Sequence, residues 1–142
     1  MSEIKQVSLF VENRPGRTAK VAKTLSDAGV NIRALTIAEA GDFGVIRMVL
    51  DDAEKGYKVL KENAFTVSMT DVLAVEMPDH PGGMNAVLRP LKEAGINVIT
   101  MYPYIGRASN PVMILEVDHL KKATEVLKRN WVKIWDKGVY KL

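Results

Sequence analysis

Two short segments of this chain carry groups that could grip a small zwitterion: Glu12-Asn13-Arg14-Pro15-Gly16 and Met77-Pro78-Asp79-His80-Pro81-Gly82. Each stands just ahead of a stretch with helical spacing. The first N–H groups of a helix lack intrahelical acceptors and the macrodipole is positive there, a setting that suits a carboxylate. Gly16 and Gly82 have no Cβ, so a ligand can approach the backbone closely. Pro15 and Pro81 fix φ at a point where no donor is needed. Asn13 offers an amide donor and a carbonyl acceptor, and Asp79 adds a charge that favours an ammonium. Arg14 and His80 occupy matching places, and His80 could reach a ligand carboxylate. The same Asx-Xaa-Pro-Gly chemistry serves ordinary turns. A second asparagine argues for more: Asn31 follows Asn13, and Asn97 follows Asp79, by 18 residues in each case. Ile32 and Val98 come directly after these asparagines.

These coincidences belong to an internal repeat. Pro15-Gly16 recurs as Pro81-Gly82, and Ala28-Gly29-Val30-Asn31-Ile32 as Ala94-Gly95-Ile96-Asn97-Val98, both at a shift of 66. Further on the shift is 67: Asp51 answers Asp118, and Val59-Leu60-Lys61-Glu62-Asn63 answers Val126-Leu127-Lys128-Arg129-Asn130. One extra residue therefore sits in the second copy, in the turn between Ile105 and Pro111. The division falls at residues 1–70 and 71–142. Thr70-Asp71 is too short for a tether, which predicts that the copies pack as one unit.

The elements that must position the loops follow from periodicity. Val7, Leu9 and Val11 alternate with Ser8, Phe10 and Glu12 as a half-buried strand; Val21, Ala22, Leu25 and Ala28 then recur at helical spacing. Gly29 ends that helix. Strands follow at 32–39 and 44–50 around a Gly41-Asp42 turn, then a helix to Asn63 capped by Asp51 or Asp52, then a strand at 65–69. The second copy repeats the order with strands at 72–77, 96–104, 112–117 and 132–135 and helices at 81–94 and 120–130. The fold class is α+β: two tandem ferredoxin-like βαββαβ units with antiparallel sheets pairing side by side. Val45 and Val49 face away from Ile46, Met48 and Leu50, so both sheet faces are apolar, which predicts a covered second face and a homodimer.

Composition narrows the function. With 47% hydrophobic and 26% charged residues the 142-residue chain is globular, and the absence of cysteine excludes disulfides, thiolate nucleophiles and Cys-based zinc sites. The polar N-terminus and the lack of a long apolar run predict a cytoplasmic protein without a membrane segment. The net charge of +3 is dispersed among acidic residues, which argues against a nucleic-acid footprint. His80 and His119, the only histidines, have no partners at catalytic or metal-ligand spacing, so neither catalytic residues nor a metal or other cofactor are expected.

The paired motifs, Glu12-Asn13-Arg14-Pro15-Gly16 with Gly29-Val30-Asn31-Ile32 and Asp79-His80-Pro81-Gly82 with Gly95-Ile96-Asn97-Val98, resemble the ACT domain family over nearly the whole chain. The resemblance implies modules that pair through their second strands and hold an amino acid between the strand–helix loop of one module and the second-strand start of its neighbour. Asn13, Asn31, Asp79 and Asn97 would then hold the amino and carboxylate groups, with backbone access at Gly16 and Gly82. In serine-sensing members a histidine often lies two residues before the asparagine; Val11 and Met77 hold those places here. The expected function is a non-catalytic sensor that binds a free amino acid where its repeats meet and regulates a separate enzyme or regulator. The alternative on the same topology is an RRM-like protein for single-stranded RNA, with Phe10 and Phe43 as stacking residues.

Overall fold

A computed structural model describes residues 4–106 and 108–142. Met1, Ser2 and Glu3, where the polar N-terminus begins, and Arg107, within the turn expected to hold the extra residue, lie outside the described residues. The chain forms two compact units, Lys5–Thr70 and Asp71–Leu142, with Ile4 belonging to the second.

The first unit contains β1 (Ile4–Glu12), α1 (Arg17–Asp27), β2 (Ile32–Ala40), β3 (Phe43–Leu50), α2 (Ala53–Glu62) and the start of β4 (Thr66–Glu76). Its strands run in the order β2-β3-β1-β4, with β2 at the edge. Leu9 opposite Ile46 and Val7 opposite Met48 place these side chains on the helix side, where they pack with Val21, Leu25, Leu60 and Phe65. α1 and α2 lie against each other. Asp52 caps α2, its carboxylate accepting from the Lys55 N–H at 3.1 Å.

The second unit uses the rest of β4, then α3 (Gly83–Glu93), β5 (Val98–Pro103), β6 (Val112–Val117), α4 (Leu120–Arg129), β7 (Ile134–Trp135) and a 3-10 turn at Lys137–Lys141. Its order, β5-β6-β4-β7, matches the first unit place for place, and its pairings are antiparallel. Leu73, Val75, Leu91, Leu115 and Leu127 form its core. Both units are thus ferredoxin-like βαββαβ folds.

Three local expectations change. The strands predicted at 65–69 and 72–77 are one strand, Thr66–Glu76, which runs through Thr70-Asp71 although Asp is disfavoured in strands. The strand predicted at 96–104 covers only Val98–Pro103: Asn97 before it is bonded to Asp118, and after it Tyr104 N–H donates to Val112 O at 2.8 Å as an isolated bridge. α3 starts at Gly83 and continues through Pro90, which leaves the Ala86 carbonyl without its usual i+4 donor. Both first helices end at left-handed glycines as expected, whereas the second helices end at Ala64 (φ 66°) and Trp131 (φ 62°).

On the sheet face away from the helices, Ala34 and Val49 in the first unit and Ala74 and Ile114 in the second are buried within the single chain, so their burial requires no second copy. Among the described residues no helix is long and apolar enough to cross a membrane.

Leu60 and Leu127 occupy equivalent fully buried places. Truncating either to alanine is expected to cost about 2–5 kcal/mol, against roughly 1 kcal/mol for Asp52→Ala, as read from urea denaturation midpoints.

Candidate functional site

The strand–helix loops owe their shape to the glycines that open α1 and α3. Gly16 has φ 87° and ψ −13°, and Gly82 has φ 87° and ψ −8°, a left-handed conformation that a side-chain-bearing residue adopts at a cost of about 1–2 kcal/mol. A Cβ on either would meet nothing within 4 Å, so the space before the helix is open. Neither helix has a side-chain cap or an acidic residue in its first turn, unlike α2 with Asp52 and Glu54. Arg17 N–H turns back to Arg14 O at 3.4 Å and Gly83 N–H to His80 O at 2.9 Å, and the first-turn N–H groups beyond them meet no side-chain cap.

The two loops are finished differently. In the first, the Asn13 side-chain amide donates to the Gly41 carbonyl at 3.1 Å, and the Asn13 N–H donates to Asp42 O at 2.9 Å, tying the loop to the β2–β3 turn. Arg14 Nε pairs with Glu12 Oε2 at 2.9 Å, an exposed contact of little energetic weight. In the second, the Asp79 carboxylate makes no hydrogen bond among the described residues and lines a cleft of ≈ 370 Å³ with Tyr104, Asn110 and Pro111. His80 Nδ1 lies 2.8 Å from Pro81 O, which places the proton on Nδ1. Pro15 and Pro81 are exposed in their turns. A Cβ at Gly83 would collide with the Pro78 carbonyl, so this loop folds back tightly onto its helix.

Asn31 and Asn97 are held by a matching pair of aspartates. Asn31 N–H donates to Asp51 Oδ1 at 2.9 Å and Asp51 N–H returns to Asn31 O at 3.0 Å; Asn97 N–H donates to Asp118 Oδ1 at 3.0 Å and Asp118 N–H returns to Asn97 O at 3.2 Å. Both asparagine side chains are exposed and make no hydrogen bond among the described residues. Ile32 and Val98 are half-buried against the cores, which fixes where each second strand begins. Asn13 and Asn31 stand at opposite ends of α1, as Asp79 and Asn97 do for α3; each helix has 11 residues, which at 1.5 Å per residue is about 16 Å. A ligand that meets both kinds of residue must therefore take the loop from one module and the asparagine from another.

Three features escaped the sequence. Asp51 and Asp118 were visible as a matched pair, yet only Asp52 caps its helix while Asp51 reaches back to the strand. Tyr104 borders the second cleft because β5 ends early. Arg17 opens α1 with its guanidinium 5.7 Å from the Phe65 ring centroid, and its buried Nε has no hydrogen-bond partner among the described residues. The described residues contain no cluster of three or more His, Cys, Asp or Glu able to hold a metal. His119 is exposed, 3.8 Å from Asp118.

The family described as an ACT domain pair matches residues 2–142. This chain belongs to the ACT domain family. A solved Bacteroides thetaiotaomicron protein is similar to this ACT pair at 35% identity and a TM-score of 0.89, covering 99% of each chain. The regulatory subunit of aspartate kinase from Thermus thermophilus, in its ligand-free form, shares the fold at 12% identity and a TM-score of 0.67, over 92% of this chain and 94% of that one. The aspartokinase alpha and beta subunits share it at 18% identity and 0.64, over 91% and 93%. No curated protein matches the sequence. ACT pairs are a regulatory type of domain.

The RNA alternative requires an open sheet face. Phe10 and Phe43 are indeed exposed on the face away from the helices of this ACT pair, but Gln6, Ala34 and Val49 of the same face are buried, which interrupts a stacking platform.

Asp118→Ala removes the acceptor for Asn97 N–H and is expected to speed exchange of that amide about tenfold, a loss of roughly 1–1.5 kcal/mol locally, as followed by hydrogen exchange. Gly83→Ala, which drives a methyl into backbone, is expected to destabilise by about 1–3 kcal/mol or more in thermal unfolding.

Proposed function

We propose that this ACT pair is a non-catalytic sensor that binds a free amino acid and regulates a separate protein in amino-acid metabolism. The ligand carboxylate sits on the uncapped N–H groups at Gly16 or Gly82, and its ammonium meets Asp79 or an asparagine that opens the second strand of a neighbouring module. One observation carries this: α1 and α3 both begin at left-handed glycines with no side-chain cap, a start shared neither by α2, which Asp52 caps, nor by α4, which opens at His119. The unengaged amides of Asn31 and Asn97, held in place by Asp51 and Asp118, support it. Residues 1–70 and 71–142 act as separate binding modules. The second binds more tightly, because Asn13 already spends its amide on Gly41 while Asp79 borders an open cleft.

Homodimerisation supplies further modules. β2 and β5 are edge strands, and Leu35, Ile37 and Ile99 on them are exposed apolar residues, a combination that favours pairing with another chain. Regulation follows if the ligand favours one packing of modules over another, and it can shift that equilibrium only by its differential affinity. The fold shared with a regulatory subunit of aspartate kinase supports a target that is a separate polypeptide.

A thermal-shift screen of the free amino acids tests this. A cognate ligand at about 100 times its Kd adds roughly 2.7 kcal/mol of stability. Asp79→Ala is expected to weaken binding about tenfold, or ~1.4 kcal/mol, and Asn97→Ala to weaken it without unfolding the chain. No response to any amino acid at millimolar concentration, together with salt-sensitive retention of single-stranded RNA, would replace this proposal with the RNA alternative. Light scattering that gives a monomer at micromolar concentration would remove the homodimer.

A further inference from the structure

The two repeats differ where the first helix meets the fourth strand. In the first, Phe65 fills this corner, with Arg17 and Lys20 laid over its ring at 5.7 and 5.9 Å. At the matching places the second repeat has Val132, Gly83 and Ala86. Three large side chains have become small ones, and a cavity of ≈ 220 Å³ lies there, walled on the helix side by Ala86, Val87 and Val132.

The cavity reaches past the end of the sheet because the ladder stops. Glu76 N–H donates to Lys133 O at 3.0 Å, and the next rung would need a donor from Pro78, which has none. The Trp131 carbonyl opposite accepts no backbone hydrogen bond among the described residues. By strand alternation Glu76 and Trp135 stand on the face away from the helices, at the far side of this opening.

The chemistry there is unbalanced in one direction. The Glu76 side chain is only 13% exposed. Its Oε1 accepts from Trp135 Nε1 at 3.1 Å, and Asn110 Nδ2 is 3.5 Å from Oε2. A carboxylate offers about four lone-pair positions, so acceptor capacity remains. Lys133 Nζ is 3.9 Å away, mostly exposed and seated over the Trp135 ring at 4.2 Å, so it is a distant counterion. Asn130 gives its amide N–H to Val126 O, which leaves its carbonyl as an acceptor. The carbonyl of Ala86 also lacks its helical donor, because residue 90 is proline. Carboxylate, amide oxygen and carbonyls all accept from a donor, and the carboxylate favours one that carries positive charge. Trp131 stands beside them 94% exposed, an indole with a ring face that attracts cations.

We propose that the second repeat contains a site for a small organic ammonium ion: Glu76 takes the charge, Ala86, Val87 and Val132 take a short apolar body, and the Trp131 ring covers the mouth. The site lies within one repeat, borders the second strand–helix loop at Pro78 and shares Asn110 with the Asp79 cleft, and does not depend on amino-acid sensing. The first repeat cannot share it, since Phe65 occupies the space.

Trp131 and Trp135 are the only tryptophans in the chain, so two indole N–H signals report on the site by nuclear magnetic resonance. Titration of the full chain with n-propylammonium is expected to shift the Trp135 indole signal saturably, with n-propanol about tenfold weaker or worse and propionate without effect. Val132→Phe, which restores the residue of the first repeat, is expected to abolish the shift while the chain still melts cooperatively. Glu76→Gln should erase the preference for propylammonium over propanol, and Asp79→Ala should leave it intact. Absence of a saturable shift, equal affinity for propanol and propylammonium, or undiminished binding in Val132→Phe would overturn the proposal.

Discussion

A left-handed glycine followed by an uncapped helix is the constraint on which both loops depend. With φ at 87°, Gly16 and Gly82 end the loops that lead from strand to helix, and no side chain caps the helix that follows. The polypeptide therefore leaves peptide N–H groups and the positive end of a dipole unanswered at the surface, twice, in the same geometry. The other two helix starts differ: Asp52 caps α2 with its carboxylate, and α4 opens at His119 without a left-handed residue.

The second constraint is the distance set by the helix itself. Eleven residues of α1 separate the Asn13 loop from Asn31, so one repeat cannot wrap its own ligand with both ends. In the proposed reading, a ligand that meets both kinds of residue does so between modules, which couples binding to their arrangement. The reciprocal bonds of Asp51 with Asn31 and Asp118 with Asn97 hold the second-strand starts in register and leave the asparagine side chains turned to solvent.

Because the chain carries its fold twice, each repeat is a control for the other. The shared features, glycine starts and aspartate-held asparagines, belong to the architecture. The differences mark where the copies part: Asn13 closes its loop onto Gly41 while Asp79 faces an open cleft, and Phe65 fills a corner that Val132 leaves empty. Trp131 sits at the same positive-φ helix end as Ala64, so the backbone there is imposed by the fold while the exposed indole is particular to the second repeat.

The sequence by itself determined the element order, the repeat and the loops. Alternation in Val7-Leu9-Val11, helical spacing in Val21-Leu25 and the Pro15-Gly16 and Pro81-Gly82 turns are local signals, written within a few residues of the structure they specify. It did not determine that 65–69 and 72–77 are one strand, because nothing local distinguishes a pause from a continuation. Nor did it determine which aspartate caps and which reaches back, since Asp51 meets a backbone 20 residues away. The Glu76–Trp135 contact spans 59 positions, and the cavity beside it exists only because small residues distant in sequence converge on one corner. Those outcomes depend on packing between elements, and packing is decided by three-dimensional neighbours that no window along the chain contains.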